Sequence, residues 1–209
     1  MYPTFRTVFF MKLLRWAFVC AVAGSICLAA AGVQAASLQS SVSGKLIRLH
    51  VIANSNREED QRIKLDVRDA VLAHLQDYCW ESRQDAALWL EANLEDLQAV
   101  CRKRLQELGS MQTVSVSLVE ESYPARQYDT FALPAGEYLS LKIALGNAAG
   151  KNWWCVVYPS ICLLSGTELE SKAASAGFSE EEVSFITDSS SGVQIKFKLL
   201  ELLQTWKKF

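Results

Sequence analysis

Histidine is nearly missing from this chain. His50 and His74 are the only two in 209 residues. No Cys-x-x-Cys or His-Glu-x-x-His accompanies them, so the common zinc patterns have no foothold and no metal or cofactor is expected. A Gly-x-Ser-x-Gly elbow is also missing, which removes the most recognisable route to a serine hydrolase, although triads assemble in space and need no fixed spacing. Gly146 to Asn152 imitates a phosphate loop and fails twice. Three residues separate the glycines instead of four, and Asn152 stands where a hydroxyl would hold magnesium. The segment reads as a plain turn. There is no internal repeat. There is no excess of basic residues either. The first 35 residues carry Arg6, Lys12 and Arg15 and no acid, so the remainder holds 18 basic against 23 acidic residues, a balance of −5. That excludes the basic footprint of a nucleic-acid binder. The paired carboxylates Glu58/Glu59 and Glu180–Glu182 read as a helix start and a solvated face.

What is present begins with a leader. Lys12 and Arg15 precede an uncharged run from Trp16 to Val33, and Val33-Gln34-Ala35 puts small residues at the −3 and −1 positions. Residues 1–35 therefore read as a signal peptide cleaved after Ala35. The rival is an uncleaved anchor helix, because the run approaches a membrane span in length. Residues 36–45, small and polar, read as a linker to a single domain over 46–209. Export permits disulfides. Cys20 and Cys27 fall in the leader, leaving Cys79, Cys101, Cys155 and Cys162. Cys155 and Cys162, with Pro159 bending the chain between them, are the disulfide candidates; the bridge would close a loop of about eight residues and contribute roughly 2–3 kcal/mol. Cys79 and Cys101 read equally well as buried thiols or as a second pair.

The domain opens with a short apolar strand, Leu46 to Ala53. Asn54-Ser55-Asn56 follows, and Ser55 with Glu58, or Asn56 with Glu59, has the spacing of a capping box. Ile63, Val67, Val71, His74 and Leu75 then recur at steps of three and four, which predicts an amphipathic helix ending near Tyr78 or Trp80. Ser82 caps a second helix whose stripe is Leu90, Leu94, Leu97, Cys101, Leu105 and Leu108, stopped by Gly109. From Met111 the period becomes two. Strands are expected from Thr113, over Thr130–Leu133 and Glu137–Leu145 around a Pro134-Ala135-Gly136 turn, at Trp153–Val157, and over Val193–Lys198. Residues 168–182 read as a helix or an excursion. The fold class is α+β: two N-terminal amphipathic helices packed on a mainly antiparallel sheet, its strands joined as a meander.

Two blocks carry a resemblance. Leu46-Ile-Arg-Leu-His-Val-Ile-Ala-Asn-Ser55, an acidic cluster and Lys64-Leu-Asp-Val-Arg-Asp-Ala-Val71 form the first. Pro134-Ala-Gly-Glu-Tyr138 through Leu145-Gly-Asn-Ala-Ala-Gly-Lys-Asn-Trp-Trp-Cys-Val-Val-Tyr-Pro-Ser-Ile-Cys162 form the second. In this order and at this separation they resemble the stage II sporulation protein R family. The resemblance implies a secreted signal, made in the forespore and exported to the space between forespore and mother cell. There it would activate a membrane-embedded aspartic peptidase that processes pro-sigma-E. The chain would then be a ligand and not an enzyme, without nucleic acid or small-molecule substrate, touching a membrane only through its leader. The alternatives are an exported hydrolase with an unrecognised site and a membrane-anchored envelope adaptor. Loops on a scaffold commonly carry function. The expected partner surface is therefore Asn54, Ser55, Asn56, Glu58 and Asp60 together with Asn147, Asn152, Trp153 and Trp154. Adjacent strand residues point to opposite faces, so one tryptophan should enter the core and the other face outward.

Overall fold

The computed structural model describes residues 5–128, 130–160 and 166–187. Its first strand, β1 (Ile47–Ile52), is buried along its whole length, because it becomes the interior of a sheet and not its edge. The sheet has four strands in the order β2 (Val114–Tyr123), β5 (Gly136–Leu145), β1, β6 (Asn152–Tyr158). β1 lies parallel to β5 and antiparallel to β6, and β2 is antiparallel to β5. The sheet is thus mixed, which corrects the expected mainly antiparallel meander. The expected hairpin around Pro134–Gly136 is also replaced. Ala132–Leu133 (β4) pairs with Arg126–Gln127 (β3) in a separate two-stranded ribbon, while β5 departs into the main sheet.

One face of the sheet takes Ile47, Leu49 and Val51 from β1 and Leu141, Ile143 and Leu145 from β5. Helices α2 (Glu58–Leu75), α3 (Arg83–Ala92) and α4 (Leu94–Glu107) cover it. They bury Ile63, Val67, Val71 and Leu75 from α2, Leu90 from α3, and Leu97, Cys101 and Leu105 from α4. These are the stripes read from the sequence. Ser82 caps α3 as expected, its side chain accepting from the Asp85 N–H at 3.1 Å. The leucine stripe is split between two helices. The Asn93 side chain donates to the Trp89 carbonyl at 2.7 Å, satisfying a chain end there. Gly109, at φ +67°, ends α4 in a Schellman arrangement: Ser110 N–H donates to Leu105 O and Gly109 N–H to Gln106 O.

The N-terminal helix α1 (Phe5–Lys45) runs 41 residues without a break, roughly 60 Å at 1.5 Å per residue. Leu14–Lys45 is long and apolar enough to cross a membrane by length and composition. Residues 36–45, expected as a flexible linker, are its last turns, and they dock. Val42 is buried against the second face of the sheet, and the Gln39 amide donates to the Ala135 carbonyl. Lys45 Nζ lies 2.6 Å from Glu182 and Ser41 Oγ lies 2.5 Å from it. Two short helices, α5 (Gly166–Ser175) and α6 (Glu180–Thr187), complete that layer and resolve the open reading of 168–182. Ser179 and Glu182 form a reciprocal capping box, with Ser179 N–H on the carboxylate at 2.7 Å and Glu182 N–H on the hydroxyl at 3.2 Å. Glu182 is accordingly buried, while Glu180 and Glu181 keep the solvated face expected of the acidic triplet. The strand expected over 193–198 lies outside the described residues.

Candidate functional site

The two segments expected to carry function meet at the C-terminal end of β1. β5 and β6 are separated by the width of β1, about 10 Å for two strand spacings. The residues between them, 146–151, therefore arch over the end of β1, and the backbone records it: Ala149 N–H donates to Asn54 O at 3.1 Å and Gly150 N–H to Ala53 O at 2.9 Å. The Asn54 side chain closes the arch from below. Its Oδ1 accepts from Asn147 N–H at 2.9 Å and its Nδ2 donates to Asp60 at 3.1 Å. Two glycines are required here. A Cβ on Gly146 (φ +54°) would fall 2.2 Å from Asn54 Oδ1, and one on Gly150 would fall 2.3 Å from the Ser55 carbonyl oxygen. Ala148, at φ 51°, occupies the left-handed region without glycine's freedom. Ala148→Gly is expected to stabilise the fold by about 0.5–1 kcal/mol, read as a higher urea midpoint.

Asp60 holds the lower half. It is buried, and accepts from Ser55 Oγ at 2.5 Å, Gln112 Nε2 at 2.7 Å and Arg57 Nε at 3.3 Å besides Asn54. The expected capping boxes do not form. Arg57 takes the N-cap position of α2 with no side-chain bond, because Ser55 is engaged with Asp60 and with the Arg57 N–H, and Asn54 with the arch. The Ser55 hydroxyl, opposed by burial and assisted by Asn54 and Arg57, holds the Asp60 carboxyl below its ordinary range. A depressed folded value makes this contribution complete above the unfolded carboxylate range, near pH 3.9, and lost as pH falls through the folded value. Asp60→Asn is expected to flatten the acid limb of stability. A urea midpoint that falls with acid in parallel with the wild type would refute this.

Asn56, Glu58, Asn147 and Asn152 are exposed around this knuckle, Asn54 and Ser55 are half-buried, and Asp60 is its internal strut. Lys64 donates to the Lys151 carbonyl at 3.0 Å and ties α2 to the arch. Trp153 and Trp154 leave on opposite faces, as alternation requires, but neither stands free in solvent. Trp153 packs on the helical side with the Arg68 guanidinium 4.6 Å over its ring, and Trp154 packs on the other face under Arg126 at 4.7 Å.

That other face carries a polar cluster among aromatic rings. Lys142, His50 and Trp154 share one cross-strand row, and Ser140, Arg48 and Val156 the next. Glu121 receives His50 Nδ1 at 2.9 Å and Lys142 Nζ at 2.7 Å. Burial pushes its carboxyl up, and these two bonds outweigh burial and hold it below its ordinary value. The Tyr123 and Ser140 hydroxyls lie 2.7 Å apart. Arg48 is completely buried, its guanidinium 4.0 Å over the Tyr123 ring and 5.0 Å over Tyr138, with Nη2 donating to Tyr128 Oη at 2.5 Å. Burial raises both Tyr123 and Tyr138, which remain neutral phenols. The strand's own alternation, polar at Arg48 and His50 and apolar at Ile47, Leu49 and Val51, was the signal for this face. A buried apolar strand was the simpler reading of it. His74 sits at a helix margin, 3.2 Å from Asp96, and not in the core.

Chemically, a His–Glu pair can move a proton. Among the described residues, His50 Nε2 has no hydrogen-bond partner, so no hydroxyl or thiol is poised on it as a nucleophile. No group of three or more His, Cys, Asp or Glu side chains among the described residues could hold a metal ion. Cys155 is disulfide-bonded; Cys162, its expected partner, lies outside the described residues. Cys79 and Cys101 are free thiols, the first exposed and the second buried, with burial pushing Cys101 up to about 12.

Against known proteins, no solved structure matches this chain. The stage II sporulation protein R of Bacillus subtilis (strain 168) is 30% identical over 180 residues, which cover 77% of this chain and 80% of that protein. The family model described as stage II sporulation protein R matches residues 43–168, a span holding the knuckle, both of its segments and most of the polar face. With a family match over more than half its length and a relative of that similarity over most of it, the chain belongs to the stage II sporulation protein R family.

Proposed function

We propose that this sporulation protein is a secreted signal. It passes from the forespore into the space between forespore and mother cell and activates a membrane-embedded aspartic peptidase, which then processes pro-sigma-E. One observation carries the reading. The family match covers the whole knuckle, in which two distant segments are spent on building one rigid, exposed ridge of Asn56, Glu58, Asn147 and Asn152. A preorganised ridge of this kind suits a docking surface, since ordering costs are met before binding. As a ligand, the protein would bind the active arrangement of the peptidase more tightly than the inactive one. The apolar helix supports export or anchoring. A Cys155–Cys162 bridge would brace the end of β6 in that oxidising space.

The test is reconstitution. The chain is exported from a vegetative host beside the cognate peptidase and pro-sigma-E, and cleavage is followed by gel mobility. Cleavage is expected only with both this protein and an intact peptidase active site. An Asn56→Ala, Asn147→Ala pair is expected to reduce cleavage at least tenfold, equivalent to about 1.4 kcal/mol of coupling, without lowering stability. A folded, exported chain that yields no cleavage overturns the proposal. The His50–Glu121 pair favours a second reading, an exported hydrolase, which predicts turnover by the purified protein alone.

A further inference from the structure

The polar face contains Arg48, a buried charge with no counter-charge among the described residues. Among the described residues, no carboxylate lies within ion-pair distance of Arg48. Its Nε and Nη1 are buried and have no hydrogen-bond partner among the described residues, and the same holds for Trp154 Nε1 and His50 Nε2. These groups surround one ring. Tyr123 lies 4.0 Å from the Arg48 guanidinium, 5.9 Å from the Trp154 ring and 6.0 Å from the His50 ring. Buried polar atoms are ordinarily satisfied, and buried charges are ordinarily paired. Three donors left open beside one ring, two of them on the Arg48 cation and one on Trp154, describe a place prepared for an acceptor.

The geometry points to a binding site for a single carboxylate group between Arg48 and Trp154. Charge selects the ligand class. Glu121 offsets Lys142, so Arg48 is the one fully buried cation of the cluster and a monoanion balances it, while the second cation, Arg126, stands exposed over Trp154 where solvent screens it. The open atoms on Arg48 and Trp154 are donors only, so they require an acceptor and reject a hydroxyl or amine that presents its hydrogens. The aromatic walls exclude water and strengthen the pairing. Arg126, an exposed side chain, lies over the Trp154 ring and adds a second cation beside the site. This inference stands on the geometry of the polar face and does not need the signalling role.

The test uses the full chain in detergent micelles, titrated with sodium acetate against sodium chloride at equal ionic strength. The readout is the Trp154 indole N–H resonance, identified by its loss in Trp154→Phe. A saturable shift with acetate and none with chloride is expected. Arg48→Met should abolish it. Tyr128→Phe removes the hydrogen bond from Arg48 Nη2 to Tyr128 and should tighten acetate binding several-fold. A blocked tripeptide with a central Glu, compared with its Gln counterpart, separates the sources. Tighter binding of the Glu peptide than of acetate assigns the site to an acidic side chain of a protein partner, and equal or weaker binding assigns it to a free small carboxylate. Linear, chloride-like shifts in both the wild type and Tyr128→Phe would overturn the site and leave the open donors to internal water.

Discussion

Gly150→Val is expected to abolish the native fold or to cost about 4 kcal/mol or more, read as a collapse of the urea midpoint. The position lies in an irregular loop, where a sequence view would tolerate change. The structure forbids it. The first carbon of any side chain would sit 2.3 Å from the Ser55 carbonyl oxygen and 2.6 Å from its carbon, both backbone atoms held at the end of β1. A flexible side chain could yield to such a clash, but a backbone already bonded into the arch cannot, since Gly150 N–H is itself on the Ala53 carbonyl. Relief would require the arch to lift, breaking the Ala149, Gly150 and Asn147 bonds to residues 53 and 54 together. Losses of this size come from such named mechanisms of backbone strain and broken networks. Gly44→Ala is the control. Nothing lies within 4 Å of its added carbon, in a helix, so it should be neutral or stabilise by up to about 1 kcal/mol.

The second large effect is at Arg48, where two substitutions should diverge. Arg48→Ala is expected to cost about 3 kcal/mol, because the fully buried stem and guanidinium leave a cavity between Tyr123 and Tyr138. Arg48→Met fills much of that volume without a charge and should be neutral or stabilising. The balance explains why. Burying an unpaired guanidinium costs several kcal/mol. Two desolvated cation–π contacts recover about 2 kcal/mol each, and the bond to Tyr128 about 1.5–3 kcal/mol. The terms nearly cancel, so the charge itself adds little stability. If Arg48→Met folds as well as the wild type yet fails in the cleavage assay, the arginine is kept for recognition at the expense of stability. If Arg48→Met is as damaged as Arg48→Ala, the charge is structural.

The amino-acid sequence by itself determined the local elements. The apolar strand from Leu46, the stripes of α2 and α4, the Ser82 cap, the Gly109 stop and the period-two strands expected from Thr113, over Glu137–Leu145 and at Trp153–Val157 depend on spacing within a few residues, and these are found. The two blocks that resemble the family are equally local, and they named it. Tertiary structure decided the rest. Nothing within 146–151 says that the turn must straddle a strand formed nearly a hundred residues earlier. The insertion of β1 between β5 and β6 made the sheet mixed, turned Asn54 and Ser55 from helix caps into loop fasteners and gave both tryptophans a covered face. Likewise the polar residues 36–45 carry little apolar periodicity, and become helical because Val42, Lys45 and the preceding turns find partners in α6 and at Ala135. The cluster around Arg48 joins side chains from β1, β2, β5, β6 and β3–β4. Long-range pairing selects among locally equivalent strands by which faces they bury together, and that quantity exists only once the chain is folded.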